Sequence, residues 1–249
     1  MARNIKKAKR EEAIVVTDGM SAINECYNSL KDNLLFMCEN GKNKVIQVES
    51  SYSGEGKTTL TCNLAVSLSY NKKKVLVMDL DFRKPRVNRL FKISNERGLV
   101  DFILDKISYE ELIKKSSYEG VDVITRGSAI YNPSFLLTSD RFKSLMQKLR
   151  DEYDFILLDC PPVLQLTDYI HVSKVCDGVL FVVKYGQTKR SQVKEAAALL
   201  KKDNINVIGT VMTFVDRSDP YSYYYGSYRS RYGYDSNDID GWYSYSYNS

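Results

Sequence analysis

The chain has 249 residues, of which 43% are hydrophobic and 27% charged, enough to build one sizeable α/β core with tails at either end. Its 36 basic and 31 acidic residues leave a formal charge of +5, concentrated at Arg3, Lys6, Lys7, Lys9 and Arg10, a modest balance that argues against a nucleic-acid-binding protein. No window approaches the roughly 20 apolar residues of a membrane span, and residues 1–12 lack the apolar stretch of a signal peptide, so a cytoplasmic location is expected.

In chain order, a basic arm over 1–20 precedes a helix expected at Ser21–Met37. Strands follow at Lys44–Glu49 and Lys74–Asp79, separated by a helix at Lys57–Tyr70. Short helical pieces are expected near Pro85–Phe91 and Gly98–Leu104, and a strand at Val121–Thr125. Pro133–Asp151 reads as one helix, then come a strand at Asp154–Asp159, a helix at Thr167–Val175, a strand at Gly178–Lys184, a helix at Lys189–Lys202 and a strand at Asn206–Met212. Apolar strands alternating with helices predict one doubly wound, mainly parallel sheet covered on both faces, occupying 21–216. From 217 to 249 the aliphatic residues that build a core are nearly gone, and the segment reads as a disordered, tyrosine-rich tail.

The five cysteines form no CxxC pair and sit mostly in apolar runs, as free thiols do in a reducing compartment. With a single histidine, His171, set in an expected helix between Tyr169 and Ser173, neither a histidine-built metal site nor a histidine-based triad is expected.

The strongest chemical signal is Ser53-Gly54-Glu55-Gly56-Lys57-Thr58-Thr59, set between an expected strand and helix. Gly54 and Gly56 let main-chain N–H groups converge on phosphates, Lys57 reaches the β and γ oxygens, Thr58 offers a hydroxyl to Mg²⁺, and Thr59 adds phosphate contacts. The common pattern starts with glycine six residues before the lysine; Ser51 stands there instead. The next strand ends Asp79-Leu80-Asp81, two carboxylates leaving it on one side. Strand-end aspartates can serve merely as turn formers, but beside a phosphate loop they point to metal binding and proton transfer. A third carboxylate, Asp159, closes an apolar strand before Cys160-Pro161-Pro162 and is read as a Mg²⁺ holder.

These motifs, together with Asp79-Leu80-Asp81-Phe82-Arg83-Lys84-Pro85, Asn132-Pro133-Ser134 and Thr167-Asp168, resemble the bacterial tyrosine kinases that regulate capsule and exopolysaccharide synthesis, over roughly 21–216. The resemblance implies an ATP-dependent kinase with Lys57 binding phosphate, Thr58, Asp81 and Asp159 around Mg²⁺, and Asp79 as base toward the incoming phenol. It also implies a homo-oligomeric ring, recruited to the inner face of the membrane by a transmembrane adaptor of the polysaccharide chain-length regulator type, and reversal by a tyrosine phosphatase. Ten tyrosines in the tail, Tyr221, Tyr223, Tyr224, Tyr225, Tyr228, Tyr232, Tyr234, Tyr243, Tyr245 and Tyr247, would be the acceptors, modified between subunits.

Two positions depart from that family. Its E-x-x-R-x-x-R pattern on the first helix, which joins neighbouring subunits, is replaced here by Glu25, Asn28 and Lys31, and Met212-Thr213 stands where asparagine often lies near the adenine. Two other readings share the fold. One is a partitioning or division-site ATPase switch, a class with a signature lysine where this chain has Tyr52; the other is a regulatory subunit that binds nucleotide without transferring phosphate.

Overall fold

The computed structural model describes residues 13–16, 21–38 and 44–215. The chain divides into two units, Met1–Thr213 and Phe214–Ser249.

In the first unit, helix α1 (Ala22–Met37) leads into β1 (Val45–Ser50), α2 (Lys57–Ser69) and β2 (Val75–Asp79). Three short helices come next, α3 (Val87–Leu90), α4 (Leu99–Ile103) and α5 (Tyr109–Leu112), then strands β3 (Lys114–Lys115) and β4 (Val121–Ile124). The remainder runs α6 (Pro133–Thr138), α7 (Asp140–Glu152), β5 (Phe155–Asp159), α8 (Asp168–Ser173), β6 (Gly178–Lys184), α9 (Arg190–Lys202) and β7 (Val207–Thr213). The strands form one sheet in the order β3-β4-β2-β5-β1-β6-β7, parallel throughout except for the antiparallel β3–β4 pair.

Because side chains alternate along a strand, each buried strand feeds a core on both faces. Leu76 and Met78 of β2, and Ile156 and Leu158 of β5, pack with Leu99, Leu136, Phe142 and Leu149 of the helices on one side. Their neighbours Val75, Val77, Phe155 and Leu157 pack with Leu64, Val66 and Leu68 of α2 and Leu34 of α1 on the other. Val179 and Phe181 of β6 meet Ala196 and Leu200 of α9 and Tyr169 of α8 in a third cluster.

The expected doubly wound sheet is present, with differences that have local causes. The single helix expected over Pro133–Asp151 is two: Ser139 is extended (φ −65°, ψ 147°), and its Oγ accepts from Phe142 N, so it ends α6 and caps α7 in one residue. The short strand β3 lacks any apolar alternation, and α5 is announced only by its capping box, in which Ser108 Oγ accepts from Glu111 N while Glu111 Oε2 accepts from Ser108 N. Part of the expected arm is built into the fold: Asn63 of α2 accepts from Val15 N and Val16 N and donates to Ala13 O, and Val16 is buried.

The loop after β4 meets the start of α4 with almost no space between them. An added β-carbon on Gly98 would lie 2.2 Å from Thr125 O and 2.6 Å from Gly127 N, both main-chain atoms. Asp101 binds the same junction, accepting from Gly98 N, Ser128 N and Ser128 Oγ. Gly98→Ala should therefore destabilise the protein by about 3 kcal/mol, at the upper end of overpacking costs, since backbone rather than a flexible side chain must yield. An unchanged denaturant midpoint would contradict this close approach.

Candidate active site

The site lies at the C-terminal ends of β1, β2 and β5, where parallel strands deliver their last residues to one edge. Lateral pairing aligns them, with Asp79 opposite Asp159 and Val48 opposite Asp159 in register. Between β1 and α2 the chain turns through Gly54 (φ 86°) and Gly56 (φ 94°), left-handed conformations that favour glycine, and enters α2 with Lys57 as its first residue. Main-chain N–H groups of that first turn therefore face the cleft with the positive end of the helix dipole behind them.

Ser53, Gly54, Gly56, Lys57, Thr58 and Thr59 line a cleft whose other wall is Asp81, Lys84 and Arg86. Lys57, nearly buried, donates from Nζ to Ser50 Oγ at 2.8 Å. Thr58 Oγ1 donates to Asp159 Oδ2 at 2.7 Å, bringing together two groups read separately from the sequence as Mg²⁺ holders. Among the described residues, no three carboxylate, histidine or cysteine side chains gather to cage a metal by themselves. A hydroxyl and a buried carboxylate beside a phosphate cradle nevertheless suit Mg²⁺, which takes one or two protein oxygens and completes its shell with water and substrate phosphates.

The two carboxylates that the sequence left interchangeable are separated. Asp81 lines the cleft and uses Oδ1 to accept from Arg83 N and Lys84 N. Asp79 is wholly buried behind it and accepts from Asp81 N, Arg86 N and Val87 N. Burial, then the Asp159 charge, push the Asp79 carboxyl well above its usual range, against the main-chain N–H groups that pull it down. Asp79 thus anchors the 81–86 loop and is the group disposed to hold a proton.

Glu55, expected to contact nucleotide, turns back into its own loop. Its Oε2 accepts from Ser51 N at 2.9 Å and its Oε1 from Thr188 Oγ1 at 2.6 Å, while its main-chain oxygen accepts from Thr213 Oγ1 at 2.7 Å. The loop is therefore fastened to the segment after β6 and to the end of β7. Lys31, expected at a subunit interface, is also turned inward: it is buried, donating to Asn71 Oδ1 at 2.9 Å and Asn28 Oδ1 at 3.2 Å. Glu25 is exposed and Asn28 half-buried on the same helix. The ten tail tyrosines lie outside the described residues.

Sequence reading missed Glu49, although the polar pair Gln47 and Glu49 two residues apart in an apolar strand marks one face of β1. Gln47 Nε2 donates to Glu49 Oε1 at 2.6 Å, and Cys176 Sγ donates to Gln47 Oε1 at 3.3 Å. Burial pushes the Glu49 carboxyl up to about 8, opposed by the Gln47 bond and the nearby Lys57 charge.

A strand, a glycine-bearing loop, a helix N-terminus and carboxylates from two further strands define a P-loop nucleotide-binding protein. Residues 43–208 match the family described as AAA domain. The chain is 32% identical over 208 residues to the putative tyrosine-protein kinase CapB of Staphylococcus aureus, covering 83% of this chain and 91% of that one. It is also 32% identical over 226 residues to the tyrosine-protein kinase YwqD of Bacillus subtilis, covering 90% and 95% respectively. The crystal structure of the chimerical protein CapA2B2 superposes with a TM-score of 0.74 at 32% identity, over 77% of this chain and 84% of that one. The chain belongs to the bacterial tyrosine kinase family.

Two outcomes test this geometry. Glu55→Ala removes both side-chain bonds that brace the loop and should weaken ADP binding about tenfold, about 1.4 kcal/mol, read by calorimetry, and lower stability by about 1–3 kcal/mol because the buried Ser51 N loses its acceptor. Glu49 gives a pH dependence: its folded pKa lies above the unfolded value of about 4.3, so its stabilising contribution is complete below that pH and is lost as pH rises toward about 8. Without nucleotide, the melting temperature of Glu49→Gln should fall less than that of the wild type across this window; parallel curves would place the buried proton elsewhere.

Proposed function

We propose that the chain is an ATP-dependent protein-tyrosine kinase that phosphorylates the tyrosine cluster Tyr221–Tyr247 of a neighbouring copy, in the regulation of capsule or exopolysaccharide synthesis. The observation that carries it is the convergence of Lys57, Thr58, Asp81 and Asp159 on one cleft, with the buried carboxyl of Asp79 directly behind Asp81. Phosphoryl transfer asks little covalent chemistry of a protein; it needs cations on the phosphate oxygens and a positioned nucleophile.

Lys57 and the α2 N-terminus bind the β and γ phosphates. Thr58, Asp81 and Asp159 would hold Mg²⁺, which when bound would neutralise charge on the phosphate oxygens. In the reaction the bond between the γ-phosphorus and the β–γ bridging oxygen breaks, ADP leaves with that electron pair, and the phenol oxygen bonds to phosphorus. The phenol proton passes to the ionised form of Asp79, whose raised affinity for a proton suits a base. The adenine pocket falls to the segment around Lys184 and Thr213, which already touches the phosphate loop at Gly54 O and Glu55 O.

No described helix is long and apolar enough to cross a membrane. We assign recruitment to the cytoplasmic face of the membrane to a separate transmembrane adaptor, with the basic residues of 1–20 and α1 as docking surfaces and a tyrosine phosphatase as the opposing activity. Glu25 and Asn28 supply the subunit-facing part of α1, while Lys31 contributes to the protomer's own packing. Each added phosphate brings about −1.5 to −2 charges, so the phosphates of a heavily modified tail would repel one another and loosen the assembly.

The test is incubation of the full chain with ATP and Mg²⁺, with and without the cytoplasmic part of an adaptor, followed by peptide mass spectrometry. Several phosphates on Tyr221–Tyr247 are expected in the wild type, with a loss of at least about 100-fold in Lys57→Met. ATP hydrolysis without any gain of mass on tyrosine would instead identify a partitioning-type switch.

A further inference from the structure

The second wall of the cleft carries positive charge that the phosphate loop does not need. The run Arg83-Lys84-Pro85-Arg86 follows Asp81 after one residue, and each of its cations meets a different fate. Arg83 is withdrawn from the cleft: Nη1 pairs at 2.5 Å with Oδ2 of Asp168, a carboxylate only 2% exposed, and Ser134 Oγ lies 3.5 Å from the other oxygen of that group. Arg86 lines the cleft half-buried, and its main-chain N–H is bound by Asp79 Oδ2. Lys84 is exposed and lines the same cleft opposite Ser53, Gly54 and Lys57.

The backbone beneath Lys84 is held on both sides. Asp81 Oδ1 accepts from Arg83 N and Lys84 N, closing the turn before it. Pro85 then fixes one dihedral angle, and Arg86 N and Val87 N are bound by Asp79 after it. The carboxylates that serve the metal and the proton thus also set the position of this lysine. Lys57, by contrast, sits at the base of the cleft, tethered to Ser50 Oγ. On the kinase reading, a phosphoryl group leaving ADP at the phosphate loop crosses a cleft that Asp81 and Lys84 also line. A cation there is stabilising in the transition state and much less so with ADP alone, which is the condition for a group to accelerate the chemical step.

We propose that Lys84 is a catalytic residue: its ammonium group contacts the oxygens of the phosphoryl group in transfer, across the cleft from Lys57. This inference rests on the kinase reading for its acceptor, but the cation's role concerns the travelling phosphoryl group and can be measured without the acceptor. Bonds and protons balance as in the transfer already described, and Lys84 remains protonated throughout.

The test compares wild type, Lys84→Ala and Lys84→Arg as full chains with matched thermal stability. Three quantities are read: the tyrosine phosphorylation rate at saturating ATP, the affinity for Mg–ADP, and the affinity for Mg–ADP with fluoroaluminate, a mimic of the phosphoryl group in flight. Lys84→Ala is expected to lower the rate about 100-fold, to leave Mg–ADP affinity within about threefold, and to abolish most of the gain in affinity on adding fluoroaluminate. Lys84→Arg should restore the greater part of both. A parallel loss of Mg–ADP affinity would make Lys84 a ground-state nucleotide ligand and overturn the proposal, as would an unchanged rate and fluoroaluminate response. Failure of the wild type to modify tyrosine would count against the kinase reading alone, because the fluoroaluminate comparison still decides for or against Lys84.

Discussion

The site depends on the lateral pairing of β1, β5 and β2, which fixes where three chain segments end. Main-chain hydrogen bonding sets Asp79 beside Asp159 and Asp159 beside Val48, and the bond from Leu80 N to Asp159 O continues the alignment one residue past β2. A register slip of one residue would turn each carboxylate to the opposite face of the sheet, so the apolar residues that define the register also aim the acids. The core on both faces is in this sense part of the active site.

That alignment has an electrostatic cost, which the structure manages by giving each acid a different environment. Asp159 is buried against Thr58, Asp79 is bound by three main-chain N–H groups, Asp81 stays at the cleft wall, and Glu49 is paired with Gln47. Gathering carboxylates in a buried place raises the free energy of charging them, as the upward shifts at Asp79 and Glu49 record. A site of that kind favours incoming cations and, through Lys57 and the helix dipole, the phosphates that accompany them. Low-dielectric surroundings strengthen each of those contacts.

The phosphate loop is braced at the end of β1 and toward β6 and β7. Glu55 ties it to Thr188 and Thr213 near the outer strands, and Ser50 holds its lysine. Pre-positioned donors lose little freedom when the phosphates arrive, which is how a short loop can bind a highly charged ligand without reorganising. The 81–86 loop differs: its anchors are the carboxylates that take part in the chemistry, so its position and their charge state are linked.

The amino-acid sequence by itself determined the doubly wound sheet, through apolar runs of strand length alternating with helical patterns, and it determined the phosphate loop and the three aspartates at strand ends, because their spacing is local. It also carried the family resemblance, which rests on contiguous motifs. The tertiary structure alone decided which aspartate faces the cleft, that Glu55 and Lys31 turn inward, that Glu49 lies buried near Lys57, and that Arg83 is drawn away while Lys84 remains at the wall. Thr58 and Asp159 are 101 residues apart, Arg83 and Asp168 85, and Glu55 and Thr188 133. Partnerships over such separations leave no periodic trace in the chain: they depend on how strands order and helices pack, and only then does a side chain acquire its neighbour, its burial and its charge state.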